Sequence, residues 1–499
     1  MKKINFILVF MLFLFGINST SIFAQNIVKK MIDRALEEKS FMKLKGFKVD
    51  DERNTISQYG FRDQYGEKLL EDSPSGSESE MFAAINPFDT SNIVVSTIHF
   101  AYNQFVDQPL SISTYFTRDF GATWQKSEFN GVVNNDDIVV GGGDPVLVFD
   151  KEGNLHMTYI ILALTDLVTF KAQEYIYHAV STDGGETWTS KPYFESLPFN
   201  SNTGEGIDRF LDKQWMVTDM TGSPYSGNIY LGYVDFFGGD TINQPAINIK
   251  LDVIHPEDTS FTYSPVTVTD DSFYFVQYTN LDLDNEGNLY IGFVGSYDTL
   301  NYYFYTTVSS DGGETFSSPV AISKVYFPGF TAESVSSDIT GIKDRYFPSP
   351  YISIDNSDSD ISGRIYATWT APGINSIEST ASDIYLSYSD DKGQTWAQPL
   401  IVNNDSLENS QQFYSNITIN PNGIPVLCFY DKRVDTAYNY KTDYYITYDL
   451  NPEDLDFEVQ YPMTAEPANF SKIGLKTNGF GIGEYNKTVT TEHFAIPFW

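Results

Sequence analysis

Four short stretches of the chain follow one pattern, Ser/Thr-x-Asp-x-Gly-x-Thr-aromatic: TRDFGATW from Thr117, STDGGETW from Ser181, SSDGGETF from Ser309 and SDDKGQTW from Ser389. Their aspartates, Asp119, Asp183, Asp311 and Asp391, are 64, 128 and 80 residues apart. The doubled middle step calls for a degenerate copy near Asp252. Internal repetition constrains a fold more than any single motif, because each copy must be the same structural unit. Each residue of the pattern suits a hairpin turn. The aspartate accepts backbone N–H bonds, the glycine takes positive φ, and the aromatic ring anchors the turn.

A second repeat is interleaved with the first. Short alternating strands flank turns that open at Asn86, Asp150, Asp219, Asp284, Asp355 and Asn420, spaced 64, 69, 65, 71 and 65 residues. A weaker seventh copy, GEYNKTVTTEHFAIPFW, ends the chain. Two hairpins in every period make a four-stranded unit, which is how one blade of a β-propeller reads. Counting inner hairpins predicts an all-β propeller of seven blades, the last lacking its outer strands, with Phe47 to Glu67 supplying them. Six blades is the alternative.

An aromatic content of 16%, with 34 Tyr and 38 Phe, agrees with strands. A net charge of -35 argues against nucleic acid or anionic membrane as partner. Residues 1–24 read as a signal peptide: two lysines, an apolar run, and Ala24 before Gln25. Residues 25–46 read as a short helix, with Ile27, Met31, Ala35 and Leu36 at helical spacing, and 47–499 as the propeller. No later run is apolar for the roughly 20 residues that a membrane span needs. The lone cysteine, Cys428, sits in an apolar strand far from any lipoprotein cleavage point. A secreted, cell-surface or periplasmic monomer is expected.

Strands one and three of a blade run parallel, so the inner turns and the aspartate turns share one face. A site at the axis then lies on the other face. Six residues before the inner turns stand Glu80, Asp144, Lys213, Tyr278, Ser349, Tyr414 and, in the last copy, about Glu484. Arg209 and Arg345 precede strand one in two matching phrases, and Arg433 follows strand two of the sixth unit. Acids, tyrosines and arginines together suit a glycan: arginine grips carboxylate in bidentate fashion, and paired carboxyls supply acid and base.

The repeated motif resembles the Asp box, or BNR repeat, of the sialidase superfamily, over nearly the whole chain after residue 24. The resemblance implies a sialidase-like propeller acting on or binding an extracellular glycan or glycoprotein, as a glycoside hydrolase or a lectin-like binder. By the same resemblance Asp144 is the acid, Glu484 and Tyr485 the nucleophile pair with Tyr414 as substitute, and Arg209, Arg345 and Arg433 the carboxylate-binding triad. Glu80 and Tyr414 would also touch substrate. The competing roles are a noncatalytic propeller and, third, a polysaccharide lyase. Arg209 and Arg345 have a competing role too, tying blades through Asp208, Asp344 or neighbouring acids. No cofactor or catalytic metal is expected. Asp282–Asn288 and Asp355–Gly363 have oxygen ligands at Ca²⁺-loop spacing, but both fall where a hairpin turn is expected. His99 is the one histidine placed at the mouth.

Overall fold

The computed structural model describes residues 76–101, 110–129, 138–166, 168–201, 206–236, 247–256, 258, 262–298, 300–326, 347–375, 381–407, 410–437, 440–470, 483–484 and 486–499, and the backbone of 43–44, 47–48 and 68–69. The expected signal peptide, Arg345 and Tyr485 lie outside these residues. So does the expected helix, apart from Lys43–Leu44, which pairs as a strand with Lys68–Leu69 and with the C-terminal strand.

Six antiparallel sheets each run strand one to four in chain order. Their innermost strands are Gly76–Ile85, Ile138–Phe149, Leu211–Thr218, Phe275–Leu283, Tyr351–Ile354 and Gln412–Ile419. Lys487–Thr490 and Phe494–Phe498 form a seventh, smaller sheet, and its third-strand place is taken by Lys43–Leu44 and Phe47–Lys48. Each inner strand packs on the next, and Lys487–Thr490 packs between the sixth and the first. Six complete blades and one partial sheet therefore share the ring, and the closing strands come from the N-terminal side of blade one. Closure removes the exposed edge that a half-turn of blades would leave. Arg433–Asp435 forms a short helical turn, and among the described residues no helix is long and apolar enough to cross a membrane.

The Asp boxes hold the blades to one another. In the second blade Asp183 Oδ1 accepts from Ser181 Oγ at 2.8 Å and Thr187 N at 3.0 Å, and Oδ2 accepts from Thr187 Oγ1. Asp311 and Asp391 repeat this with Thr315 and Thr395, and Asp119 with Thr123. The box then reaches its neighbour: Asn92 Nδ2 and Ser127 Oγ of blade one donate to Gly184 O and Gly185 O. The box of blade one docks on the C-terminal hairpin, with Phe120 against Phe494 at 5.1 Å and Trp124 against Phe498 at 5.9 Å. Blade three has a turn where the doubled step required one, at His255–Asp258. Asp252 itself lies inside strand three and accepts from Tyr193 and Tyr233, so it is a core acid and not a box.

The inner turns explain the Ca²⁺-like spacings. Asp284 Oδ1 accepts from Glu286 N and Asn288 N, both at 3.0 Å, and Oδ2 from Asn288 Nδ2 at 2.7 Å. Asp355 accepts from Ser357 N and Ser359 Oγ. No group of three metal-ligating side chains is assembled among the described residues.

A lysine among acids at the axis: the candidate functional site

The positions six residues before each inner turn share an unusual backbone. Glu80, Asp144, Lys213, Tyr278, Ser349 and Tyr414 have φ of 52°, 51°, 54°, 62°, 39° and 52°. None is glycine, so each sits in a left-handed region that side chains ordinarily avoid. In five of the six the strand register slips there, between Ser79 and Phe82, Gly143 and Val146, Asp212 and Trp215, Gln277 and Asn280, and Phe413 and Asn416. This is a β-bulge, in which two residues oppose one and a side chain is re-aimed. Recurrence in successive blades makes it part of the fold, and it creates a ring of side chains around the axis.

Next to each bulge, polar side chains join neighbouring inner strands. Gln214 Nε2 donates to Asp144 O at 2.7 Å, Asn280 Nδ2 to Pro350 O at 2.8 Å, Asn416 Nδ2 to Asn486 O at 3.1 Å, and Asn486 Nδ2 to Tyr414 O at 2.7 Å. Backbone groups freed by the bulge thus find partners in the next blade, as buried polar groups must.

At the centre is Lys213, 2% exposed. Its Nζ lies 3.6 Å from Asp144 Oδ2 of blade two and 3.4 Å from Glu484 Oε2 beside the seventh sheet. Burial alone pulls a lysine pKa down, but Asp144, Glu484, Glu80 and Asp212 outweigh it and hold the ammonium above its ordinary value. Asp212, whose Oδ2 accepts from Gln277 Nε2 at 2.8 Å, is pushed up to about 7. Burial is the main cause; Lys213 opposes it, while Asp144 and Glu484 reinforce it. Gly483 makes the approach possible: a Cβ there would stand 2.3 Å from Glu80 Cγ. Asp144, Glu484 and Glu80 are therefore brought together, around a lysine to which the sequence alone assigned no role.

The other expected residues have other surroundings. Arg209 Nε faces Asp235 Oδ2 at 3.4 Å and Nη1 donates to Tyr263 OH; Asp208 instead accepts from Leu197 N. Arg433 donates from Nε to Asp431 at 2.8 Å, from Nη1 to Asn404 at 2.9 Å and from Nη2 to Gln460 at 2.8 Å, with its guanidinium 4.4 Å from the Tyr445 ring centre. The two arginines share no partner among these. The Tyr414 ring packs on Phe413 and Tyr430. His99 is buried opposite Glu78 in blade one, with Nδ1 3.3 Å from its carboxylate. Cys428 is buried and accepts from Thr488 Oγ1, and burial pushes its thiol up to about 12.

A family model described as the BNR/Asp-box repeat matches residues 179–190, the second box. No curated protein matches the chain. Solved structures similar to it include a protein of unknown function from Dyadobacter fermentans, 14% identical, covering 72% of this chain and 91% of that one at a TM-score of 0.45. A Hadza microbial sialidase is 13% identical over 91% of this chain and 89% of its own, at 0.42. An α-L-arabinofuranosidase of Fusarium graminearum, in complex with arabinobiose, is 10% identical over 70% and 88%, at 0.43. With four boxes bonded alike and a ring of inner strands, the chain is an all-β propeller with Asp-box turns, the second of which matches the BNR/Asp-box repeat. Its own signature within that class is Lys213, held between Asp144 and Glu484 on the axis.

Proposed function

We propose that the chain is an exported propeller that engages a glycan at the end of the axis opposite the Asp boxes, and that Asp144 and Glu484 there act as the acid and base of glycoside hydrolysis. The supporting observation is the shared lysine. Two carboxylate oxygens within 3.6 Å of one nitrogen are at most about 7 Å apart, so both carboxyls can reach one glycosidic bond. In that role one carboxyl carries the proton that it passes to the leaving-group oxygen, while the other, ionised, acts as base or nucleophile. Several acids beside one lysine favour a neutral sugar over a carboxylated one, since a second anion would meet net negative charge. A signal peptide at residues 1–24 would deliver the chain to such a substrate.

The depth of the cluster supports a second reading, a noncatalytic binder. Glu80, Lys213 and Glu484 are each 2% exposed, as groups that lock inner strands together would be. Glycan-array binding followed by hydrolysis assays on neutral and sialylated glycosides separates the two. Hydrolysis of neutral glycosides, lost by roughly a hundredfold or more in Asp144→Asn and Glu484→Gln at unchanged fold, supports the enzyme. Binding without turnover leaves the binder, and neither binding nor turnover overturns the glycan reading.

A further inference from the structure

Beyond the bulge ring, toward the Asp boxes, the same inner strands surround a cavity of about 570 Å³. This is the size of a small-molecule site. Its wall is mostly apolar, from Phe82, Leu147, Trp215, Tyr351 and Ile417, with one cationic side chain, Lys487, and one acid, Asp282. The Lys487 ammonium lies 5.2 Å from the Phe82 ring centre and 5.7 Å from that of Trp215. It makes no hydrogen bond and reaches no carboxylate at ion-pair distance among the described residues. Asp282 is the acid whose charge it feels, but that carboxylate already accepts from Leu283 N and Ile354 N, both at 2.9 Å. Burial lowers the Lys487 pKa, with Asp282 opposing only in part. Lys487 is partly buried, and the two aromatic faces beside it attract the ammonium without supplying a hydrogen-bond acceptor.

Tyr351 lines this cavity and also feels the charges of Lys213 and Glu484. Its ring stands edge-on to Trp215 at 5.3 Å, while its hydroxyl donates to Asn486 O at 3.1 Å on the Lys213 side. The axis therefore has two polar ends of different make-up, one with several acids around Lys213 and one mostly apolar with Lys487 and the hydrogen-bonded Asp282.

We propose that the Asp-box compartment is a second binding site, for a small molecule with an apolar, ring-sized body and one carboxylate that pairs with Lys487. The carboxylate supplies the charged acceptor that the ammonium lacks, and the body covers the Tyr351 and Ile417 wall. Nothing in this inference depends on the glycan reading of the other end.

Benzoate and its neutral isostere benzamide test it by calorimetry on the full mature chain. Saturable benzoate binding at or below about 1 mM is expected. Benzamide should bind roughly tenfold or more weakly, and Lys487→Met should lose the preference for the anion. Lys487→Gln serves if the methionine variant does not fold. Equal binding of the two probes, no binding of either, or an unchanged preference in the variant overturns the site. Glycan binding in the same variant should be unaffected, so the two ends fail or succeed separately.

Discussion

Lys213 Nζ stands 3.4 Å from Glu484 Oε2, although one residue belongs to the third blade and the other precedes the seventh sheet. Sheets one and two intervene between them around the ring, so this contact crosses the axis. It ties the end of the chain to a blade encoded some 270 residues earlier, a distance that no hairpin bond in the ring spans.

Removing the cation should therefore do more than weaken one pair. Lys213→Met leaves Glu80, Asp144, Asp212 and Glu484 without the charge that compensates them. Breaking a buried pair costs about 3–5 kcal/mol. Urea unfolding should show a loss of that size at pH 8, and a smaller one at pH 5, where protonation of Asp212 relieves part of the repulsion. Adding Glu484→Gln to Lys213→Met should recover part of it. Equal loss at both pH values would mean that the lysine stem, not its charge, matters.

Two buried aspartates, Asp212 and Asp282, set a pH dependence. Burial raises Asp212 to about 7, against the pull of Lys213, and Asp282 to about 6, against its backbone hydrogen bonds. For an acid whose pKa rises on folding, the folded state binds the extra proton. Its contribution is full below the unfolded value near 4 and is lost as pH rises through the folded one. The box aspartates Asp183 and Asp311 have the opposite sign. Burial works against them, but their threonine bonds prevail and hold them below the ordinary value of 3.8, so their contribution is lost only in stronger acid. Melting temperature should fall from about pH 5 to about pH 7, and Asp212→Asn should flatten that slope. A slope unchanged in Asp212→Asn would show that Asp212 does not carry it.

Arg433 distinguishes holding a blade from holding a substrate. Each guanidinium nitrogen already has an acceptor, Asp431, Asn404 or Gln460, and the plane covers Tyr445. Arg433→Lys cannot reproduce that fork. A stability loss of about 1–3 kcal/mol with unchanged KM is expected. A raised KM at unchanged melting temperature would return Arg433 to the substrate.

Much of this architecture was legible because the constraint repeats. Spacing between Asp119, Asp183, Asp311 and Asp391 fixes the blade period, and strand alternation places Glu80, Asp144 and Glu484 at one level of the axis. The bulge was not legible, since glycine is the usual mark of positive φ and six other residues adopt it here. Spacing places Lys213 at the same level as Glu80, Asp144 and Glu484, but without the bulge nothing says that its ammonium turns in to meet Asp144 and Glu484. Arg209 and Arg433 lie at plausible sequence positions, but their partners Tyr263 and Gln460 come from strands or loops that spacing does not place beside them. Asp252 misled for the opposite reason: the period located the turn within a few residues, while the acid served tyrosines in the core.

Gly185 tests whether the box is scaffold. Its φ is 96°, and a Cβ there would stand 2.7 Å from Val94 Cγ2 and 3.0 Å from Cγ1, in the neighbouring blade. An alanine must either shift that contact or leave the left-handed conformation, which would misalign the N–H that donates to Ser181 Oγ at 2.9 Å. Gly185→Ala should cost roughly 1–3 kcal/mol. Gly222, in the inner turn of blade three, has open space around it, so Gly222→Ala should stay within about 0.5 kcal/mol. Below the unfolding temperature, ligand binding at both ends of the axis should be the same in Gly185→Ala as in the parent. If binding falls while urea stability holds, the box belongs to a site and not to the frame.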